Sequence, residues 1–158
     1  MATMQSSTGL FVGSFDPFTI GHDNIVKRAL QLFDHVVIGV GINPEKVCRD
    51  EADCRLEAIR SIYADNARVE VTAYTDLTID LAARVGATCI VKGVRSVQDF
   101  EYERIQADLN KRLGGIETIL LYAEPDLASV SSSAARELLA FRQDISWMLP
   151  HADNPEKP

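Results

Sequence analysis

Ten residues near the amino terminus, Gly13-Ser14-Phe15-Asp16-Pro17-Phe18-Thr19-Ile20-Gly21-His22, bring a hydroxyl, a carboxylate and an imidazole together with glycine and proline. Gly13 lets the backbone approach a ligand closely, and Asp16-Pro17 is a turn signal. Thr19-Ile20-Gly21-His22 runs into an amphipathic stretch, which places His22 at a helix amino terminus, where free N–H groups and the helix dipole favour an anion. A phosphate there would meet the Ser14 hydroxyl, the helix N–H groups and His22 at once. The plainer alternative is a tight turn whose histidine only caps or packs; the full string favours a nucleotide site. No G-x-x-x-x-G-K-[ST] is present, so this is not a P-loop. Gly39-Val40-Gly41 is no dinucleotide fingerprint either, because Pro44 stands where a third glycine belongs.

Three later segments carry complementary groups. Gly41-Ile42-Asn43-Pro44-Glu45-Lys46 ends on a mobile point charge suited to a phosphate whose charge changes, with a solvated surface lysine as the alternative. Lys92-Gly93-Val94-Arg95 sets two cations around a Gly–Val pair, Arg95 with a planar fork and Lys92 with charge alone, fit to grip separate phosphates. Asp99, Glu101 and Glu103 open the next helix, where acids favour the dipole with no ligand involved; one of them could also accept ribose hydroxyls or steer Arg95. Their spacing does not present all three together, so a hydrolytic carboxylate pair is a weak reading. Ser129-Val130-Ser131-Ser132-Ser133 starts a last helix with more hydroxyls than capping requires, which makes an anion cradle.

The elements that must position these groups are short β-branched runs alternating with amphipathic stretches, the pattern of a parallel sheet covered by crossover helices. Strands are expected at 10–12, 35–41, 68–73, 88–92 and 117–121. Helices are expected at 23–33, 51–63, 77–85, 99–113 and 131–142, the fourth with Tyr102, Ile105, Leu109 and Leu113 as its apolar stripe. The result is an α/β, Rossmann-like, doubly wound five-stranded parallel sheet with helices on both faces. Ligands of such a sheet bind beyond the carboxyl ends of the strands where winding reverses, and each segment above follows a strand.

The 158 residues suit one domain over the whole chain, with segments 1–8 and 151–158 expected to be flexible ends. Lys plus Arg total 16 against 23 Asp plus Glu, a net charge of −7 that argues against a nucleic-acid or anionic-membrane partner. Cys48, Cys54 and Cys89 form neither a C-x-x-C pair nor a dense disulfide set, and no secretory signal or spanning run is visible, so the cytoplasm is expected. His22, His35 and His151 are too dispersed for a structural metal site.

The strings GSFDPFTIGH, NPEK, KGVRSVQDFEYE and SVSSSAARE, in this order, resemble bacterial phosphopantetheine adenylyltransferases from about residue 10 to 150. The first string is shared across the nucleotidyltransferase superfamily; DFEYE with the serine triplet narrows the match. The resemblance implies transfer of AMP from ATP to 4′-phosphopantetheine in coenzyme A biosynthesis, giving dephospho-coenzyme A and pyrophosphate, with magnesium accompanying ATP. It implies a homohexamer, and coenzyme A as a candidate inhibitor. Carried onto this chain, it makes His22 the transition-state stabiliser, with Lys46 and Arg95 also catalytic. Phe15, Gly93, Val94, Arg95, Glu103 and the stretch Leu127, Ala128, Ser129, Val130, Ser131, Ser132 and Ser133 fall on the ATP site. Ser14 would touch both substrates, Lys46 and Lys92 the acceptor phosphate, and Thr78 the pantetheine arm. The nucleophile is already a phosphate oxygen, so in-line attack requires no general base. Lys92 stands where the family mostly has Arg, Val12 where it has Pro, and HADNPEKP where a final helix usually lies. Competing readings are another acceptor, such as nicotinate mononucleotide or glycerol phosphate, and a nucleotide-binding regulatory module without turnover.

Overall fold

The computed structural model describes residues 6–45 and 49–151, with backbone only at 49 and 50. Lys46 and most of the two ends expected to be flexible, 1–5 and 152–158, lie outside the described residues. At the start of the described chain Ser7 is already anchored, donating from its N–H and hydroxyl to Asp34 at 2.8 and 3.0 Å, and Thr8 opens the first strand.

Five strands and five helices alternate: β1 (Thr8–Gly13), α1 (Ile20–Ala29), β2 (His35–Gly41), α2 (Arg49–Ile62), β3 (Val69–Tyr74), α3 (Thr78–Val85), β4 (Cys89–Val94), α4 (Val97–Gly114), β5 (Glu117–Tyr122) and α5 (Ser132–Ala140). All neighbouring strands pair in parallel in the order β3-β2-β1-β4-β5, so winding reverses between β1 and β4. The expected doubly wound sheet is what forms.

Strand alternation sorts the core into two layers. Phe11 of β1 and Val36, Ile38 and Val40 of β2 pack with Ile25, Val26 and Ala29 of α1 and Leu56 and Ile59 of α2. Leu10, Val12, Val37 and Ile90 look the other way, against Leu81 and Ala82 of α3. A third cluster, Val130, Ala135, Ile145 and Met148, ties α5 and the chain beyond it to Ile20 at the start of α1. That last contact brings the serine segment beside the histidine segment.

Three local differences from the sequence expectation have physical causes. Helix α1 starts at Ile20 instead of residue 23 because Thr19 caps it, and after Ala29 the chain continues only as turns to Phe33. Two short 3₁₀ turns, Pro125–Leu127 and Ser146–Met148, have no counterpart in the expected pattern. The apolar stripe of α4 faces outward: Tyr102, Ile105, Leu109 and Leu113 are 63%, 53%, 46% and 66% exposed, and no residue of α4 is fully buried. Periodicity locates an apolar face but does not say what covers it.

Leu81 is 2% exposed and anchors α3 to the sheet. Leu81→Ala should therefore lower unfolding stability by about 2–5 kcal/mol in denaturant titration, with no change in m-value.

Candidate active site

The pairing of β1 with β4 stops at Phe11–Val91, whereas β1 stays paired with β2 through Gly13–Val40. Beyond that point the exits of β1 and β4 part, and two adjoining cavities of about 260 and 250 Å³ open there. The first lies towards α1 and α5; the second runs down between the sheet, α3 and α4. Ser14, Lys92 and Glu103 line both and so mark the junction.

Most of the residues singled out from sequence meet here. Phe15, His22, Gly93, Val94 and Arg95 line the first cavity, and Leu127, Val130, Ser131, Ser132 and Ser133 close it from the other side. Ala128 and Ser129 belong to the same loop but do not line it. Thr78 lines the second cavity, where Tyr74 lies within 3.3 Å, hydroxyl to hydroxyl.

The turn after β1 is held open by distant side chains. Phe15 has φ 49°, a left-handed conformation costing a non-glycine residue roughly 1–2 kcal/mol, and the Asp16–Pro17 peptide is cis. Arg55 of α2 donates to the Ser14 carbonyl at 3.1 Å, Arg136 of α5 to the Asp16 carbonyl at 2.7 Å, and the Ser132 hydroxyl to the Pro17 carbonyl at 2.8 Å. Three carbonyls of the turn are thereby satisfied from two other helices. Sequence reasoning missed Arg55 and Arg136. Arg136 sits three residues after Ser133, which its guanidinium also reaches at 3.3 Å, so the serine segment pointed towards it; nothing around Arg55 did so.

The serine triplet divides its work. Ser131 caps α5 by accepting from the Ala134 N–H at 3.0 Å, Ser132 fastens the turn, and Ser133 meets Arg136. The three acids also separate. Asp99 holds Arg95, accepting from both its main-chain N–H and its Nε at 3.1 Å, and Glu103 pairs with Lys92 at 3.3 Å. Glu101 turns to Arg104 on the helix surface. Lys92 and Arg95 therefore stand at the cleft as cations steadied by one acid each.

His22 occupies the third position of α1 and forms a reciprocal cap with Thr19. The Thr19 N–H donates to Nδ1 at 2.9 Å, and the Thr19 hydroxyl lies 3.1 Å from the same nitrogen. A main-chain N–H can only donate, so Nδ1 is unprotonated and the neutral ring carries its proton on Nε2. The rings of Phe15, Phe18 and Phe11 lie 5.1, 5.4 and 6.2 Å from the imidazole, centre to centre. This burial, followed by the positive charges of Arg95 and Lys92, pushes the His22 pKa down to about 4.

A parallel sheet in this order, with the histidine turn and the serine-opened helix facing each other across the point of reversal, defines a nucleotidyltransferase-type fold. The cytidylyltransferase-like family model matches residues 10–138. A bifunctional NMN adenylyltransferase/ADP ribose pyrophosphatase from Francisella tularensis, solved with AMP and a manganese ion, superposes with a TM-score of 0.65 at 15% identity, over 96% of this chain and 46% of that one; it shows the fold. The phosphopantetheine adenylyltransferase of Bacteroides thetaiotaomicron is 52% identical across 89% of this chain and 93% of its own length. That of Porphyromonas gingivalis is 48% identical across 93% and 96%, and that of Streptococcus pneumoniae 40% identical across 94% and 93%. The chain belongs to the phosphopantetheine adenylyltransferase family.

In the free protein His22 should stay neutral down to about pH 4. The acid limb of kcat/KM, which reports free enzyme, should then carry no inflection from His22 near 6.5, and histidine NMR titration should place its midpoint near 4. The unfolded chain takes up this proton near 6.5 and the folded chain only near 4, so the stabilising effect is complete above 6.5 and fades as pH falls between those values.

Proposed function

We propose that the chain transfers AMP from ATP to 4′-phosphopantetheine, forming dephospho-coenzyme A and pyrophosphate in coenzyme A biosynthesis, by in-line attack without a general base. The observation that carries the mechanism is the engaged Nδ1 of His22. Its one basic lone pair is held by the Thr19 N–H, so near neutral pH the ring donates from Nε2 and is a poor base. The acceptor phosphate is already anionic and needs no deprotonation. Rate enhancement then comes from alignment and from charge placed where it grows on the α-phosphate.

In this reading ATP takes the first cavity, its adenosine and phosphates against Phe15, Gly93, Val94 and the loop from Leu127 to Ser133, with Arg95 on the phosphates. The acceptor takes the second, with its phosphate at Lys92 and Lys46 and its arm past Thr78. Ser14 and Glu103 sit where the two meet, which is where the bond changes hands. His22 donates to the transferring phosphate, and its neutrality keeps that donor from forming a tight ground-state ion pair.

A divalent ion enters as part of the nucleotide substrate, magnesium being the natural one. Among the described residues no group of three or more His, Cys, Asp or Glu could hold a metal, so phosphate oxygens and water would supply its ligands. The outward stripe of α4 supports a homo-oligomer, which we take to be a homohexamer. No described helix is long and apolar enough to cross a membrane. Cys54 and Cys89 are free thiols, in keeping with a reducing cytoplasm.

Pyrophosphate release should occur with ATP and 4′-phosphopantetheine and not with nicotinate mononucleotide or glycerol phosphate; silence with the first acceptor refutes the assignment. His22→Ala should cut kcat by at least ~10²-fold with ATP affinity little altered. Lys92→Ala should chiefly raise KM for the phosphorylated acceptor. Ile105→Glu combined with Leu109→Glu should lower the particle mass seen by sedimentation, and an unchanged mass removes α4 from the subunit contact.

A further inference from the structure

Among the described residues Thr19 and Asp23 are polar side chains buried in the core. Thr19 caps α1 and holds the His22 ring. Asp23 is the residue after His22, and its carboxylate has a distant partner: the Tyr63 hydroxyl, 40 residues on and just past the end of α2, donates to Oδ1 at 2.7 Å. Tyr63 is itself buried. We infer that Tyr63 and Asp23 are positioning residues for the reaction, which together fix the first turn of α1 so that His22 presents Nε2 to the transferring phosphate. This deepens, and rests on, the reading of His22 as the transition-state donor.

The other contacts that hold the histidine are local or lie to either side of it. The Thr19 cap ties the ring to its own turn and moves with that turn. Arg55, Arg136 and Ser132 bind the carbonyls of residues 14, 16 and 17, before the helix begins. Further on, Ile25, Val26 and Ala29 pack into the core, but apolar contact resists separation without having a direction of its own. A hydrogen bond is directional, and the one from Tyr63 acts on the residue next to His22, where it sets the rotation of the helix start.

Charge and burial keep that bond made. Burial, then the Asp23 charge and the hydrogen bond itself, push the Tyr63 hydroxyl above its ordinary pKa, so it remains a donor. Lys27, one turn on, meets Oδ2 at 2.9 Å from the solvent side, which leaves Oδ1 to the phenol. A second route runs through rings: Tyr63 stands edge-on to Phe18 at 6.1 Å and 89°, and Phe18 lies 5.4 Å from the imidazole. One side chain thus holds the His22 turn through its hydroxyl and the wall around His22 through its ring. Apolar residues of similar volume often stabilise a core as well as a buried charge does, so what the pair adds is direction.

The test uses the whole protein and steady-state pyrophosphate release, at a temperature where each variant is folded by circular dichroism. Tyr63→Phe, which keeps the ring and removes the hydroxyl, should lower kcat about tenfold while the KM values for ATP and 4′-phosphopantetheine stay within about twofold. Asp23→Ala should match it, whereas Asp23→Asn, which keeps an oxygen to accept from Tyr63, should hold kcat within about threefold of wild type. That second comparison gives the answer without altering Tyr63. Lys27→Met should leave kcat in place. In a His22→Ala background Tyr63→Phe should cost nothing further, because the pair acts through the histidine. A purely structural role would lower the unfolding midpoint and spare kcat. Unchanged kcat in Tyr63→Phe, an Asp23→Asn variant as impaired as Asp23→Ala, or the same loss repeated on top of His22→Ala would each overturn the inference. Wild-type kcat in His22→Ala would instead fail the reading of His22 itself.

Discussion

The molecule is organised around the early end of one strand pairing. β1 and β4 share only the pairs Gly9–Cys89, Leu10–Ile90 and Phe11–Val91, and beyond them the two central strands have no common ladder. Connections before this point wind one way and those after it wind the other, which leaves a crevice beyond the carboxyl ends of the two strands. The Lys92 ammonium reaches into it, 3.5 Å from the Val12 carbonyl and 3.3 Å from Glu103, and so bridges the parted strands. Both cavities, and the junction between them, follow from that separation.

The net charge of −7 makes the arrangement of cations instructive. A chain this acidic repels polyphosphates at long range, so attraction has to be local and partly desolvated. Lys92 and Arg95 meet that need on one strand exit, and each is held in place by an acid from α4 instead of swinging in solvent. The acids that follow KGVR in sequence are therefore counterions first. Their cost in net attraction is offset by cations whose positions are set before a ligand arrives, which reduces the entropy lost on binding.

Much of this was legible in the chain, and the gaps have physical reasons. Short β-branched runs marked the five strands, and the inner ones are near-continuously apolar because a parallel sheet buries both faces, as in Val36 to Val40. The histidine and serine segments were legible because helix starts need particular residue types. Arg55 and Arg136 were not, since their partners are main-chain carbonyls 41 and 120 residues away, and an acceptor of that kind leaves no trace in side-chain spacing. The direction of the α4 stripe was hidden for a related reason: one chain contains the apolar face but not the surface that meets it.

The strained turn and the capped histidine serve one purpose. Phe15 in its left-handed conformation puts its ring edge-on to His22, with a centre separation of 5.1 Å and an interplanar angle of 84°. With Phe18 and Phe11 it packs around the imidazole, whose burial is the main cause of its lowered pKa. The strain persists because Arg55, Arg136 and Ser132 bind the carbonyls of residues 14, 16 and 17 from helices that are themselves fixed by the core. The sheet and its helices thus hold, through three hydrogen bonds to one turn, the apolar surroundings of the proposed transition-state donor.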